Sequence, residues 1–137
     1  MPRVLLPAIL ISVAFQAIPA MATDVYECKF AELGSNYGFL PLIAVVSHDP
    51  ETDSATVFDP IIKHEKGVPI EASVSANNTS KLSVSWTMML GNGSGDYVKM
   101  AYRLSLQKAS LAASISGKPQ GYINDLRAEG GCKRLKG

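Results

Sequence analysis

Three features of the 137-residue chain predict an all-β fold, a single antiparallel up-and-down meander closing into a small barrel of about eight strands. Apolar residues recur at every second position through most of the chain beyond residue 22, the period of strands that bury one face. Clusters of Gly, Pro, Asn and Asp interrupt these runs at short intervals, so consecutive strands should pair as neighbours. The only two cysteines, Cys28 and Cys132, stand near the two ends of that region. Closing the sheet removes the unpaired edges that invite aggregation; a β-sandwich is the alternative architecture.

The chain begins with the pattern of a secretory leader. A short basic start, Met1 to Arg3, precedes an apolar run from Val4 to Phe15, then Pro19 and the small-residue ending Ala20-Met21-Ala22. Cleavage is expected after Ala22, giving residues 1–22 as signal peptide and 23–137 as a single β-barrel domain. Pro7 and Gln16 interrupt the apolar run, which falls short of the ~20 residues of a spanning helix. Thr23, not a cysteine, follows the cleavage site, so lipid attachment there is not expected either. The mature protein should be periplasmic or secreted, with no stable membrane insertion.

In such a compartment two cysteines without competitors are expected to form one disulfide, Cys28 to Cys132. A bridge across nearly the whole domain adds up to ~4 to 5 kcal/mol in the chain-entropy treatment. Neither cysteine has Cys-x-x-Cys spacing or a neighbouring histidine, which weighs against a redox or metal pair.

The first strand carries Tyr26, Cys28 and Phe30 on one face, the second runs from Leu42 to Val46, the third from Ala55 to Phe58, and the fourth carries Ile70, Ala72 and Val74. The alternation is clearest in "KLSVSWTM", with Leu82, Val84, Trp86 and Met88 inward, and in "YVKMAYRLSLQ", with Val98, Met100, Tyr102, Leu104 and Leu106 inward. Leu111, Ala113 and Ile115 mark a seventh strand, and Tyr122 to Ala128 an eighth before Cys132. The segments "HDPETD", "KHEKG", "NNTS" and "GNGSG" are read as the turns between them. No convincing helical period occurs; "GYINDLRAEGG" could supply one helical turn but reads better as strand.

Few residues in this pattern suggest chemistry. Trp86, Met88, Met100 and Tyr102 on adjacent strands could line an apolar pocket of lipocalin type, with the alanines at 44, 72, 109 and 113 leaving room at one end, although such stripes also build filled cores. His48-Asp49 and His64-Glu65 would offer four metal ligands only if two turns met; Asp49, Glu51 and Asp53 lack the glycine and distal glutamate of a calcium loop. No Gly-x-Ser-x-Gly elbow is present, and no histidine is placed as its base. Neither an enzyme, a metal nor a cofactor is expected. The sequons at Asn77, Asn78 and Asn92 read as turn asparagines in a bacterial host. With Arg3 removed, basic and acidic side chains balance, so nucleic acid is not an expected partner. A periplasmic or envelope protein is.

Tyr26 and Cys28 in a "Y-x-C" first strand, Cys132 near the end, "SGDY" at Ser94 to Tyr97, and Lys108 resemble features of the periplasmic and membrane-bound inhibitors of C-type lysozyme. That resemblance implies a small barrel in which Ser94 and Lys108 would reach together into the lysozyme cleft. The serine-to-tyrosine spacing is one residue shorter than in that family, Ala109 replaces a glycine, and Trp86 lies on another strand than the family's tryptophan. The chain is also similar to small exported bacterial proteins at large. The expectations for function are thus a non-catalytic barrel acting through its loops, with lysozyme inhibition and apolar-ligand carriage as alternatives.

Overall fold

A computed structural model describes residues 11, 23–31, 38–91 and 94–136. The expected leader, its cleavage after Ala22 and the turn residue Asn92 lie outside the described residues, except for residue 11 of the leader. Eight antiparallel strands form a closed barrel in sequence order: β1 (Asp24–Phe30), β2 (Ile43–Asp49), β3 (Ser54–Phe58), β4 (Ile70–Asn77), β5 (Lys81–Gly91), β6 (Tyr97–Gln107), β7 (Ala112–Pro119) and β8 (Leu126–Lys136). The turns β2–β3, β4–β5 and β6–β7 share one end, here the lower, with the start of β1 and the finish of β8. The β1–β2, β3–β4, β5–β6 and β7–β8 connections share the upper end.

Period-two patterning decides which side chains enter the barrel. In β5 and β6 the expected inward residues Leu82, Val84, Trp86, Met88, Met100, Tyr102, Leu104 and Leu106 are buried and Val98 is half-buried, and the buried ones meet in register as Leu82↔Leu106, Val84↔Leu104, Trp86↔Tyr102 and Met88↔Met100. Tyr26, Phe30, Val46, Val57 and Ile115 complete the filling from other strands. Each such side chain gains roughly 1.5 to 3 kcal/mol on leaving water. Ala44 and Ala113 are buried in the same interior, whereas Ala109 is an exposed turn residue and lines nothing.

The barrel closes where β1 pairs with β8, and there Cys28 lies directly opposite Cys132 with a Cα separation of 3.9 Å and a disulfide between them. Gly130 lets this seam form. A Cβ at that position would run into the Lys29 carbonyl and the Phe30 Cα, both backbone atoms. Gly117 does the same for the interior, because a side chain there would collide with Leu40 and Tyr102.

Several boundaries differ from the sequence reading. The eighth strand starts at Leu126, not Tyr122, and continues through Cys132 to Lys136. The second continues past Val46 to Asp49, so His48 is a strand residue, 3% exposed, and not a solvated turn residue. Leu111 belongs to the turn before β7, at a φ of 62°. "KHEKG" is no simple turn, because Pro60–Glu65 forms a helix, α1, that ends within it. Asp59 caps it by accepting from the Ile62 amide at 2.8 Å, Pro60 sits in the first turn where no amide partner is needed, and Gly67 terminates it at a φ of 76°. Ile62 anchors the helix in the core.

Candidate functional surfaces

The four residues that could line an apolar pocket, Trp86, Met88, Met100 and Tyr102, are buried together in the core cluster. Trp86 stacks on Tyr102 with ring centroids 5.5 Å apart, and Met100 is fully buried. Clefts in the surface divide the set rather than join it. Met88 borders one of about 290 Å³ with Met89, Tyr97 and Lys99, and Trp86 and Tyr102 border another of about 340 Å³ with Ser73, Ser85 and Thr87. The Trp86 indole Nε1 is buried without a hydrogen-bond partner among the described residues. Tyr102 is better provided: burial, and then the Asp59 carboxylate, push its pKa upward, so the hydroxyl stays protonated and donates to the Phe39 carbonyl at 2.6 Å.

Ser94 and Lys108 do not come together. Ser94 lies at the upper end, in the β5–β6 connection, and Lys108 follows Gln107 at the lower end, with the full 11 residues of β6 between the two ends. At ~3.3 Å per residue that is over 30 Å. Lys108 is drawn into a polar chain across the lower turns: its Nζ donates to Asn77 Oδ1 at 2.6 Å, Asn77 Nδ2 donates to Asp53 Oδ1 at 3.1 Å, and the same carboxylate oxygen lies 2.7 Å from His48 Nε2.

The His48 link holds the Asp53 carboxyl below its ordinary pKa, with Asn77 and Lys108 adding to the effect, although partial burial opposes it. Asp53 adopts a φ of 52° to reach this position, and Asp49 Oδ1 accepts from the Glu51 amide at 2.9 Å. The alternating acids thus build a turn. His64 is on α1 at the upper end, so the two histidine-acid pairs lie at opposite ends of the barrel. Sequence reasoning missed the His48–Asp53 pair, whose signal was the continuation of the inward phase Ala44, Val46, His48.

The upper end has a different character. Leu42, Val68, Met89, Tyr97, Tyr122 and Ile123 are exposed there, Ile123 at 99%. Of the large exposed hydrophobics described between residues 23 and 136, only Leu135 is elsewhere. A cleft of about 460 Å³ opens at the same end between α1 and the top of β5, lined by Phe39, Pro60, Ile61, His64, Glu65 and Leu90. No described helix is long and apolar enough to cross a membrane. Comparison of the chain with protein-family models, with curated proteins and with solved structures finds no match.

Proposed function

We propose that the protein is a non-catalytic exported barrel that binds a protein of the cell envelope through its upper rim. The observation that carries this reading is the gathering of exposed Met89, Tyr97, Tyr122, Ile123, Val68 and Leu42 at one end. Methionine and aromatic side chains are the types enriched in protein interfaces, and exposed apolar groups gathered at one end mark such a site better than scattered ones. The burial of Trp86, Met88, Met100 and Tyr102 in one core cluster supports a surface binder over a carrier of apolar ligands. The outer wall bears Glu71, Lys99, Arg103, Lys118, Arg127 and Glu129 in exposed positions, the reverse of the apolar band on a membrane-spanning barrel.

Inhibition of C-type lysozyme would be one instance of rim binding, with Ser94 on the contacting end and Lys108 outside the contact. The deciding experiment captures partners from envelope extract with the disulfide-bonded protein and with Met89→Ser/Tyr97→Ser/Ile123→Ser. A discrete protein retained by the wild type and lost with the triple variant is the expected result. Equal retention by both would overturn the rim as the binding surface. C-type lysozyme assayed with micromolar protein tests the narrower instance, which lapses if turnover is unchanged.

A further inference from the structure

The near-zero net charge conceals a division. Residues 23–80 contain nine acidic and three basic side chains, and residues 81–137 contain three acidic and nine basic. Because the strands follow one another around the barrel in sequence order, the division reaches its walls: β1–β4 carry Asp24, Glu27, Asp49 and Glu71 against Lys29, and β5–β8 carry Lys81, Lys99, Arg103, Lys118, Arg127, Lys133 and Arg134 against Glu129. Some cations on the basic side are already engaged: Lys133 lies 3.7 Å from Glu27 across the seam, Arg134 donates to the Tyr26 hydroxyl, and Lys108 donates to Asn77. The side chains of Lys81, Arg103 and Arg127 make no ion pair or hydrogen bond among the described residues.

Those three surround a groove of about 450 Å³ on the outer wall, with Ser105 and Ser114 in its floor and Glu129 as its one carboxylate. Arg103 and Arg127 stand at the same level on β6 and β8, each opposite Ser116 of β7. They are two strand spacings, ~10 Å, apart at the backbone and can converge on one anionic group. Ser105 and Ser114 face each other in register; the Ser105 hydroxyl already shares a 2.8 Å hydrogen bond with that of Ser83 and keeps acceptor capacity, and the Ser114 hydroxyl can donate and accept.

We infer that this groove binds an anionic polysaccharide, the arginines taking a carboxylate or phosphate on the sugar chain and the serines its hydroxyl groups. Charge complementarity selects the sign of the ligand. A peptide would gain nothing from backbone pairing, because the closed barrel offers no free strand edge. Single-stranded nucleic acid is disfavoured by the absence of an aromatic platform among the groove residues. This site lies on the barrel wall and does not depend on the rim reading.

The test measures binding of the disulfide-bonded protein to immobilised polygalacturonate, with neutral dextran, anionic phosphatidylglycerol vesicles and oligothymidylate as comparisons. Binding to polygalacturonate alone is expected, weakening with added salt and falling at least tenfold in Arg103→Gln/Arg127→Gln. Lys63→Gln/Lys66→Gln on the acidic half, and the rim variant, should stay within twofold of wild type. Arg103→Lys/Arg127→Lys, which keeps the charge and a matching melting profile, should lie between. No binding to polygalacturonate at low salt, equal loss in the Lys63/Lys66 variant, or equal or tighter binding to vesicles or oligothymidylate would overturn the inference. So would self-association through this wall in place of polysaccharide binding.

Discussion

Asp59 is 4% exposed and does two things at once: it caps α1 and places a carboxyl in an apolar setting. Burial raises its pKa above the ordinary 3.8 despite the opposing backbone hydrogen bonds from Ile62 and Ile61. Its contribution to stability is therefore full below 3.8 and lost as pH rises through the raised value. Asparagine caps as well without the charge, so Asp59→Asn should gain on the wild type over that rise, while Asp59→Ala should cost about 0.5 to 2 kcal/mol; urea unfolding across pH measures both. Asp53 has the opposite sign. Its lowered pKa gives stability that is present above 3.8 and disappears as pH falls through the depressed value. Acid unfolding of Asp53→Asn should accordingly be less steep than that of the wild type, and a curve of unchanged steepness would show that the His48 link carries no such linkage.

At the scale of elements, legibility followed the strength of the pattern. β5 and β6 were readable because five inward positions on each are apolar or aromatic and their outward partners are largely Ser, Thr, Lys or Arg. The ends of β2 and β8 were not, because their inward phase is continued by His48 in one and is broken by Gly130 and Arg134 on either side of Cys132 in the other. α1 is too short for a 3.6-residue period to show, though Asp59-Pro60 and Gly67 bracket it with the usual start and stop residues. The rim was equally hidden, since an exposed Met89 or Ile123 looks the same in sequence as a buried one. Gly130 makes the seam between β1 and β8 testable. Gly130→Ala puts a methyl group against backbone that cannot rotate away, and a loss of about 1 to 3 kcal/mol in denaturant melts is expected. A neutral result would mean that the seam relaxes as readily as a surface turn.

Over the whole molecule, the meander converts position along the chain into position around the barrel, which is why charge sorted by sequence becomes charge sorted by wall. The cysteine pair was readable for a related reason: in a closed meander the first and last strands must be neighbours. Replacing Cys28 and Cys132 by serine should lower the denaturation midpoint, with a loss of unfolding free energy of up to about 4 to 5 kcal/mol if the native geometry is unstrained. The same seam brings the start of β1 beside the finish of β8, with Val25 opposite Lys136. The chain is therefore close to a ring, and its order of synthesis can be rewritten by circular permutation. A permutant joining Lys136 to Thr23 through a short linker and opened in the turn between Asn77 and Lys81 would keep every strand pair. It would also reduce the segment enclosed by the cysteines to roughly 15 residues, for which bridging is worth about 3 kcal/mol against about 4.7 for a 100-residue loop. Comparing oxidised and reduced melts of both forms tests where the bond acts: if it restricts the unfolded chain, its effect should shrink by about 1.7 kcal/mol on permutation, whereas an effect of unchanged size would belong to the folded barrel.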